Sequence, residues 1–231
     1  SNVDIVPEQR FRDGVKMAGD DILLNVIHDF ILPSFEKALQ TAGVRAPAAL
    51  MSRLCGEESV SIQDAILRQQ LNLQVFTPLG LALLKAYESY DPEATQETLT
   101  YSYKDLLAND SVKDPVWQYV NGAVRREVAG LGLFDILAVP INFDLGQLHK
   151  SFLENRINLT KILAALCEVI FHYPCDVLLL TGRPSRLPGV QAFIRKMLPL
   201  PPGRIQPMHN YRTGGWYPFH KSGLINDPKS T

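Results

Sequence analysis

Leu180-Thr181-Gly182-Arg183-Pro184-Ser185-Arg186-Leu187-Pro188-Gly189-Val190 is the stretch on which the reading of this chain turns. It begins where the apolar run Val177-Leu178-Leu179-Leu180 ends, and such a run predicts a parallel strand covered on both faces. Gly182, at the strand's carboxyl end, lets the backbone turn sharply and approach a ligand closely. Pro188 suits the first turn of a helix predicted over residues 189–198. The proline-rich residues 199–203 then lead to a short strand at 204–207. Strand, helix and strand in this order predict a right-handed crossover onto a sheet. In sheets of that kind ligands settle in the crevice beyond the strands' carboxyl ends, so residues 180–190 hold the candidate site.

Working outward, residues 136–141 carry a buried-strand signal, and residues 144–152 and 157–171 read as helices, the second stopped by Pro174. Residues 46–131 are helical in character, with helices predicted near 46–54, 61–71, 77–90 and 116–128 and no convincing strand. At the amino end, Asp13-Gly14 predicts a hairpin over residues 11–17. Ile22, Leu23, Val26, Ile27, Phe30, Ile31, Phe35 and Leu39 then recur at helical spacing, with Asp20 as an N-cap and Pro33 kinking or splitting the helix. The organisation expected is residues 1–45 and 132–231 as one α/β unit, with 46–131 a helical insertion.

Composition sets outer limits. A chain of 231 residues, 46% hydrophobic, can bury a sizeable core. A net charge of −1, with both signs mixed along the chain, offers no electrostatic footprint for nucleic acid or anionic membrane. Cys55, Cys167 and Cys175 fit neither a CxxC motif nor a zinc spacing, and read as thiols of a reducing, cytoplasmic compartment. No basic segment precedes an apolar run at the amino end, and Ser1-Asn2 reads as the remnant of a cleaved tag. The expectation is a piece of a longer protein.

The 180–190 string closely resembles the adenosine loop of DnaK-type chaperones, with Gly182, Ser185, Arg186 and Pro188 matching position by position. Ala18-Gly19-Asp20-Asp21 is similar to the motif that follows a phosphate hairpin in those proteins, and Ile225-Asn226-Asp227-Pro228 to the last strand-to-helix passage of the same lobe. The fold implied is α/β: the second lobe of an actin-like ATPase, ribonuclease H-like, with a mixed, mostly parallel sheet and an inserted helical subdomain. Taken whole, the chain resembles the SrfB family of bacterial virulence factors, carried also by Phe11-Arg12-Asp13-Gly14 and by Gly215-Trp216-Tyr217-Pro218-Phe219.

The resemblance implies an ATP or ADP site whose base side is formed by Gly182, Arg183, Ser185 and Arg186, with the Arg186 guanidinium stacked on adenine. The family's second glycine is Arg183 here, a side chain that either blocks nucleotide or adds a phosphate contact. Gly19, Asp20 and Asp21 either stand behind the phosphates or cap and complement the helix they open. Mg2+ and the phosphate hairpins would come from upstream sequence, the partner this lobe requires. Asp144-Leu145-Gly146 copies the start of such a hairpin, but reads as a helix start. No catalytic or metal-binding residue is assigned, since His28, His149, His172, His209 and His220 are too scattered to suggest a ligand set. Trp216, Tyr217 and Phe219 form an aromatic turn that either packs on the sheet edge or docks a protein partner. The alternative to a nucleotide site is a degenerate lobe that serves as a scaffold.

Overall fold

The computed structural model describes residues 19–56, 61–93, 98–108, 111–130, 132–154, 156–173 and 175–208. The hairpin expected at 11–17, the aromatic turn with Trp216, Tyr217 and Phe219, and the passage at 225–228 lie outside the described residues.

The chain opens with α1 (Gly19–Val26), a π-helical turn (Ile27–Ile31) and α2 (Leu32–Thr41). The core positions explain the interruption. Ile22, Val26, Ile31, Phe35 and Leu39 are all fully buried, at steps of four, five, four and four residues. Four residues of α-helix overshoot a full turn by about 40°, and five overshoot by about 140°, so a regular helix would swing the later residues off the core stripe. The π turn absorbs the extra residue, with the Leu32 N–H bonded to the Ile27 carbonyl. Pro33 then falls at the junction of the π turn and α2, where its missing N–H removes one bond from the helical ladder. Instead of the kink or split expected at Pro33, the helical run continues unbroken from Gly19 to Thr41, with the irregularity taken up by the π turn ahead of the proline.

The same device recurs further on. After α3 (Pro47–Cys55), Ser61 caps α4 (Ile62–Leu71) by accepting the Asp64 N–H at 3.1 Å. A second π turn, Asn72–Phe76, leads into α5 (Thr77–Tyr87), again with a proline in the first turn. Helices α1 and α5 pack closely at Gly80, where a Cβ would stand 2.5 Å from Leu23 Cδ1.

Two corrections to the sequence reading follow. Within the block expected to be purely helical, β1 (Thr98–Ser102) is a strand, ahead of α6 (Tyr103–Leu106) and α7 (Asp114–Glu127). Its Thr-Leu-Thr-Tyr-Ser composition suits a pleated surface, but five residues with one face half-buried give too short an alternation to stand out. The strand expected over 136–141 is displaced: Asp135 caps a 3-10 turn at Ile136–Ala138, and β2 runs Pro140–Asp144. The remaining elements follow the expected order: α8 (Leu145–Leu153), capped by Asp144, then α9 (Asn158–Phe171), β3 (Leu178–Leu180), a 3-10 turn (Arg183–Arg186), α10 (Pro188–Met197) and β4 (Ile205–Pro207).

Among the described residues, the strands form two small pairs. Strands β1 and β2 are antiparallel, with Leu99 opposite Phe143, while β3 and β4 are parallel, with Leu178 opposite Ile205. The protein is thus a mixed α/β structure, mostly helical, with small sheets in place of the mostly parallel sheet expected.

One buried polar side chain helps fix this arrangement. Asn121 of α7 accepts the Phe134 N–H at 2.7 Å and donates to the Phe134 carbonyl at 3.2 Å, replacing the backbone partners that an irregular buried segment lacks. Asn121→Ala leaves both groups unpaired, and a loss of about 2–4 kcal/mol is expected from urea unfolding. Arg126→Ala, on the exposed side of the same helix, should change stability by less than about 0.5 kcal/mol in the same assay.

Candidate functional site

The loop after β3 is built by its own backbone. Gly182 has φ +83° and ψ 168°, a conformation that L side chains rarely adopt, and nothing crowds its α-carbon. The 3-10 turn that follows is closed by the Ser185 N–H, at 3.2 Å from the Gly182 carbonyl, and by the Ser185 hydroxyl, which donates to the same oxygen at 2.7 Å. Gln191 reaches back from α10 to donate to the Ser185 carbonyl at 2.8 Å. Ser185 is buried, so its hydroxyl holds the turn together.

Gly189 is constrained differently. A Cβ there would run into the Phe152 ring and come within 2.6 Å of the Tyr87 hydroxyl. Only a bare α-carbon lets the first turn of α10 sit against α8 and the end of α5.

A small cleft of about 90 Å³ lies on one side of the loop that follows β3. One wall is the amino end of α1, with Gly19 and Asp20. A second is the carboxyl end of α5, with Leu84, Lys85 and the C-cap residue Glu88. The third is the loop itself, with Arg183, Pro184 and Leu187. Two groups of candidates far apart in sequence, Gly19-Asp20 and Arg183, thus meet across one space. Gly182, Ser185 and Arg186 do not line it, and neither does Asp21, whose carbonyl accepts from the Asn25 amide at 2.7 Å. Asp20 and Asp21 sit within the first turn of α1 rather than ahead of it, where their charge complements the helix dipole.

Lys85 and Glu88 were missed by the sequence reading. Their signal is a polar pair closing a helix that is otherwise almost wholly apolar, Thr-Pro-Leu-Gly-Leu-Ala-Leu-Leu-Lys-Ala-Tyr, and a solvated helix end explains that pattern equally well.

Two other spaces flank the molecule. A groove of about 580 Å³ runs between α2 and the segment from Phe134 to Asn142, with no residue of the loop in its lining. An apolar cleft of about 230 Å³ lies between α9, β3 and α10, lined in part by Cys167, whose thiol pKa is raised by burial. Among the described residues, no group of three or more His, Cys, Asp or Glu side chains could hold a metal ion, and no helix is long and apolar enough to cross a membrane.

Fold and cleft together define a mostly helical α/β protein with a small, charged-rim crevice beside the loop that follows a strand. Over residues 1–231 the sequence matches the family described as virulence factor SrfB, and the chain belongs to that family. No curated protein and no solved structure matches it.

The two loop glycines are separable by experiment. Gly189→Ala must displace rings, and about 1–3 kcal/mol of destabilisation is expected, with a lower thermal unfolding midpoint. Gly182→Ala meets only Pro184 Cδ, at an ordinary 3.9 Å, but a strained backbone, so a smaller loss of about 1 kcal/mol is expected by the same measurement.

Proposed function

We propose that this chain supplies the base side of an adenine-nucleotide site in an actin-like ATPase or nucleotide-driven switch, with the phosphates and Mg2+ held by another part of the same protein in the cytoplasm. The observation that carries this reading is the meeting of α1, α5 and the post-β3 loop around one cleft. Leu84, Pro184 and Leu187 offer apolar walls to a flat base. Lys85, Glu88 and Arg183 border the same cleft, and in this reading the first two would pair with the base's polar edge and Arg183 with a phosphate. Arg186, to which the resemblance assigns base stacking, belongs to the same 3-10 turn and would reach the base as the cleft opens.

One observation favours a second reading. At about 90 Å³ the cleft is far below the roughly 300 Å³ at which small-molecule pockets begin, so a base enters only if α5 and the loop part. A lobe that keeps this arrangement closed would act as a scaffold, engaging proteins instead, with Trp216, Tyr217 and Phe219 as its docking patch.

Calorimetric titration of Mg-ATP and of ADP into the full-length protein separates the two. Saturable binding is expected, weakened about tenfold or more by Arg186→Ala and by the exposed substitution Lys85→Ala. Folded protein that gives no heat at high micromolar nucleotide refutes the nucleotide reading and leaves the scaffold.

A further inference from the structure

Among the described residues, strand β2 is paired on one side. The Tyr103 N–H bonds to the Val139 carbonyl at 3.0 Å, and the register continues with Ser102 opposite Pro140 and Thr100 opposite Asn142. In an antiparallel pair alternate residues turn their backbone groups toward the partner, so Ile141 and Phe143 bond to β1 while Pro140 and Asn142 turn theirs away. The Thr100 hydroxyl lies 3.1 Å from the Asn142 side-chain oxygen, as befits a pair that exchanges no backbone bond and so brings its side chains close. No group among the described residues bonds to the outward N–H and carbonyl of Asn142 or to the carbonyl of Pro140. Pro140 itself belongs on such an edge, because the N–H it lacks would have pointed outward.

That edge borders the groove of about 580 Å³ that separates β2 from α2. The volume falls within the roughly 300–1,000 Å³ of clefts that hold ligands. Phe30 and Val139 give the groove an apolar floor, and Ala38, Ala42 and Ala138 leave its walls without bulk. The charges on its rim are unbalanced. Asp29 and Asp135 outnumber Lys37, all three are exposed, and no ion pair joins them across the gap.

We propose that this groove takes an extended segment of a partner protein, apolar and basic in composition, which adds to β2 as a further strand. A strand laid along β2 gives the Asn142 N–H an acceptor and the Asn142 and Pro140 carbonyls their donors. Every second side chain of that strand then enters the space beside the wall alanines. The surplus of carboxylate on the rim selects a lysine or arginine in the segment over an acidic residue. Pairing stays short because Pro140 has no N–H to give, so recognition rests on the side chains that fill the groove as much as on the backbone. The groove shares no lining residue with the cleft beside the loop, so this inference stands apart from nucleotide binding.

Amide exchange followed by NMR on the full-length protein tests this, with a peptide selected on that protein from a random-peptide phage library as the probe. In the free protein the Asn142 amide is expected to exchange within about threefold of its intrinsic rate, and with peptide bound about tenfold or more slowly. The selected peptides should alternate apolar residues with basic ones. Asn142→Pro removes an N–H that makes no bond to β1, and should weaken peptide binding about tenfold or more. Asn142→Ala keeps that N–H, and its affinity should stay within about twofold of the wild type. Should Asn142→Pro not fold, the exposed substitution Ala138→Arg fills the groove with a cation and should cost the same factor. An Asn142 amide already protected in the free protein means that the edge is covered by this chain, or by a second copy if protection grows with concentration, and either result overturns the proposal. So does a selection that enriches no peptide or only acidic ones, and so does binding that survives both Asn142→Pro and Ala138→Arg.

Discussion

The Phe35 ring touches three other aromatic rings that come from three separate stretches of chain. Phe76 meets it edge-on at 5.6 Å, Phe134 edge-on at 5.8 Å, and Tyr103 lies parallel to it at 6.5 Å. Each such pair is worth about 0.5–1.5 kcal/mol beyond the area it buries. Their larger effect is one of reference. The second π turn, the start of α6 and the segment before β2 are all located against a single point on α2, and the Tyr103 hydroxyl repeats the fix by donating to the Ile31 carbonyl at 2.9 Å.

From this point the position of the cleft follows in two steps. Gly80 lets α5 close onto α1, which fixes two of the three walls. The third wall is set by Gly189, through its contacts with Tyr87 and Phe152. Both joints rest on glycines chosen for close approach, and neither tolerates a side chain without movement of its neighbours. The cleft is consequently narrow by construction, and its width is governed by residues that do not touch its interior. That separation lets the charged rim of Lys85, Glu88 and Arg183 vary without disturbing the packing beneath it.

Much of this was legible in the sequence, and unevenly so. Helices α7, α8, α9 and α10 announce themselves through long apolar stripes or through prolines and capping residues at their ends, and the strand at Leu178–Leu180 through three consecutive leucines. The order of strand, tight glycine loop and helix followed from Gly182 and Pro188, and the 3-10 turn within the loop is what the structure adds. Strand β1 escaped because a five-residue edge with half-buried alternation looks like loop until its partner is known, and its partner lies forty-two residues away at the Thr100–Asn142 bond. The cleft was half readable for a related reason. Its acidic and arginine sides stood out as motifs, whereas Lys85 and Glu88 gain meaning only once α5 is laid against the loop. A sequence displays what a residue is beside in the chain, and this site is made from residues that are neighbours only in space.

The π turns ahead of Pro33 and Pro78 bear on ancestry as much as on packing. In genetic terms, each is the size of a single-codon insertion that a helix has absorbed without breaking. Elsewhere in a helix one added codon rotates everything downstream by about 100° and buries the wrong side chains. Here the added residue brings Phe35 and Leu39 back onto the stripe begun by Ile22 and Val26. What would be a frameshift in three dimensions is, at Ile27–Ile31, the correction that keeps the helix in frame.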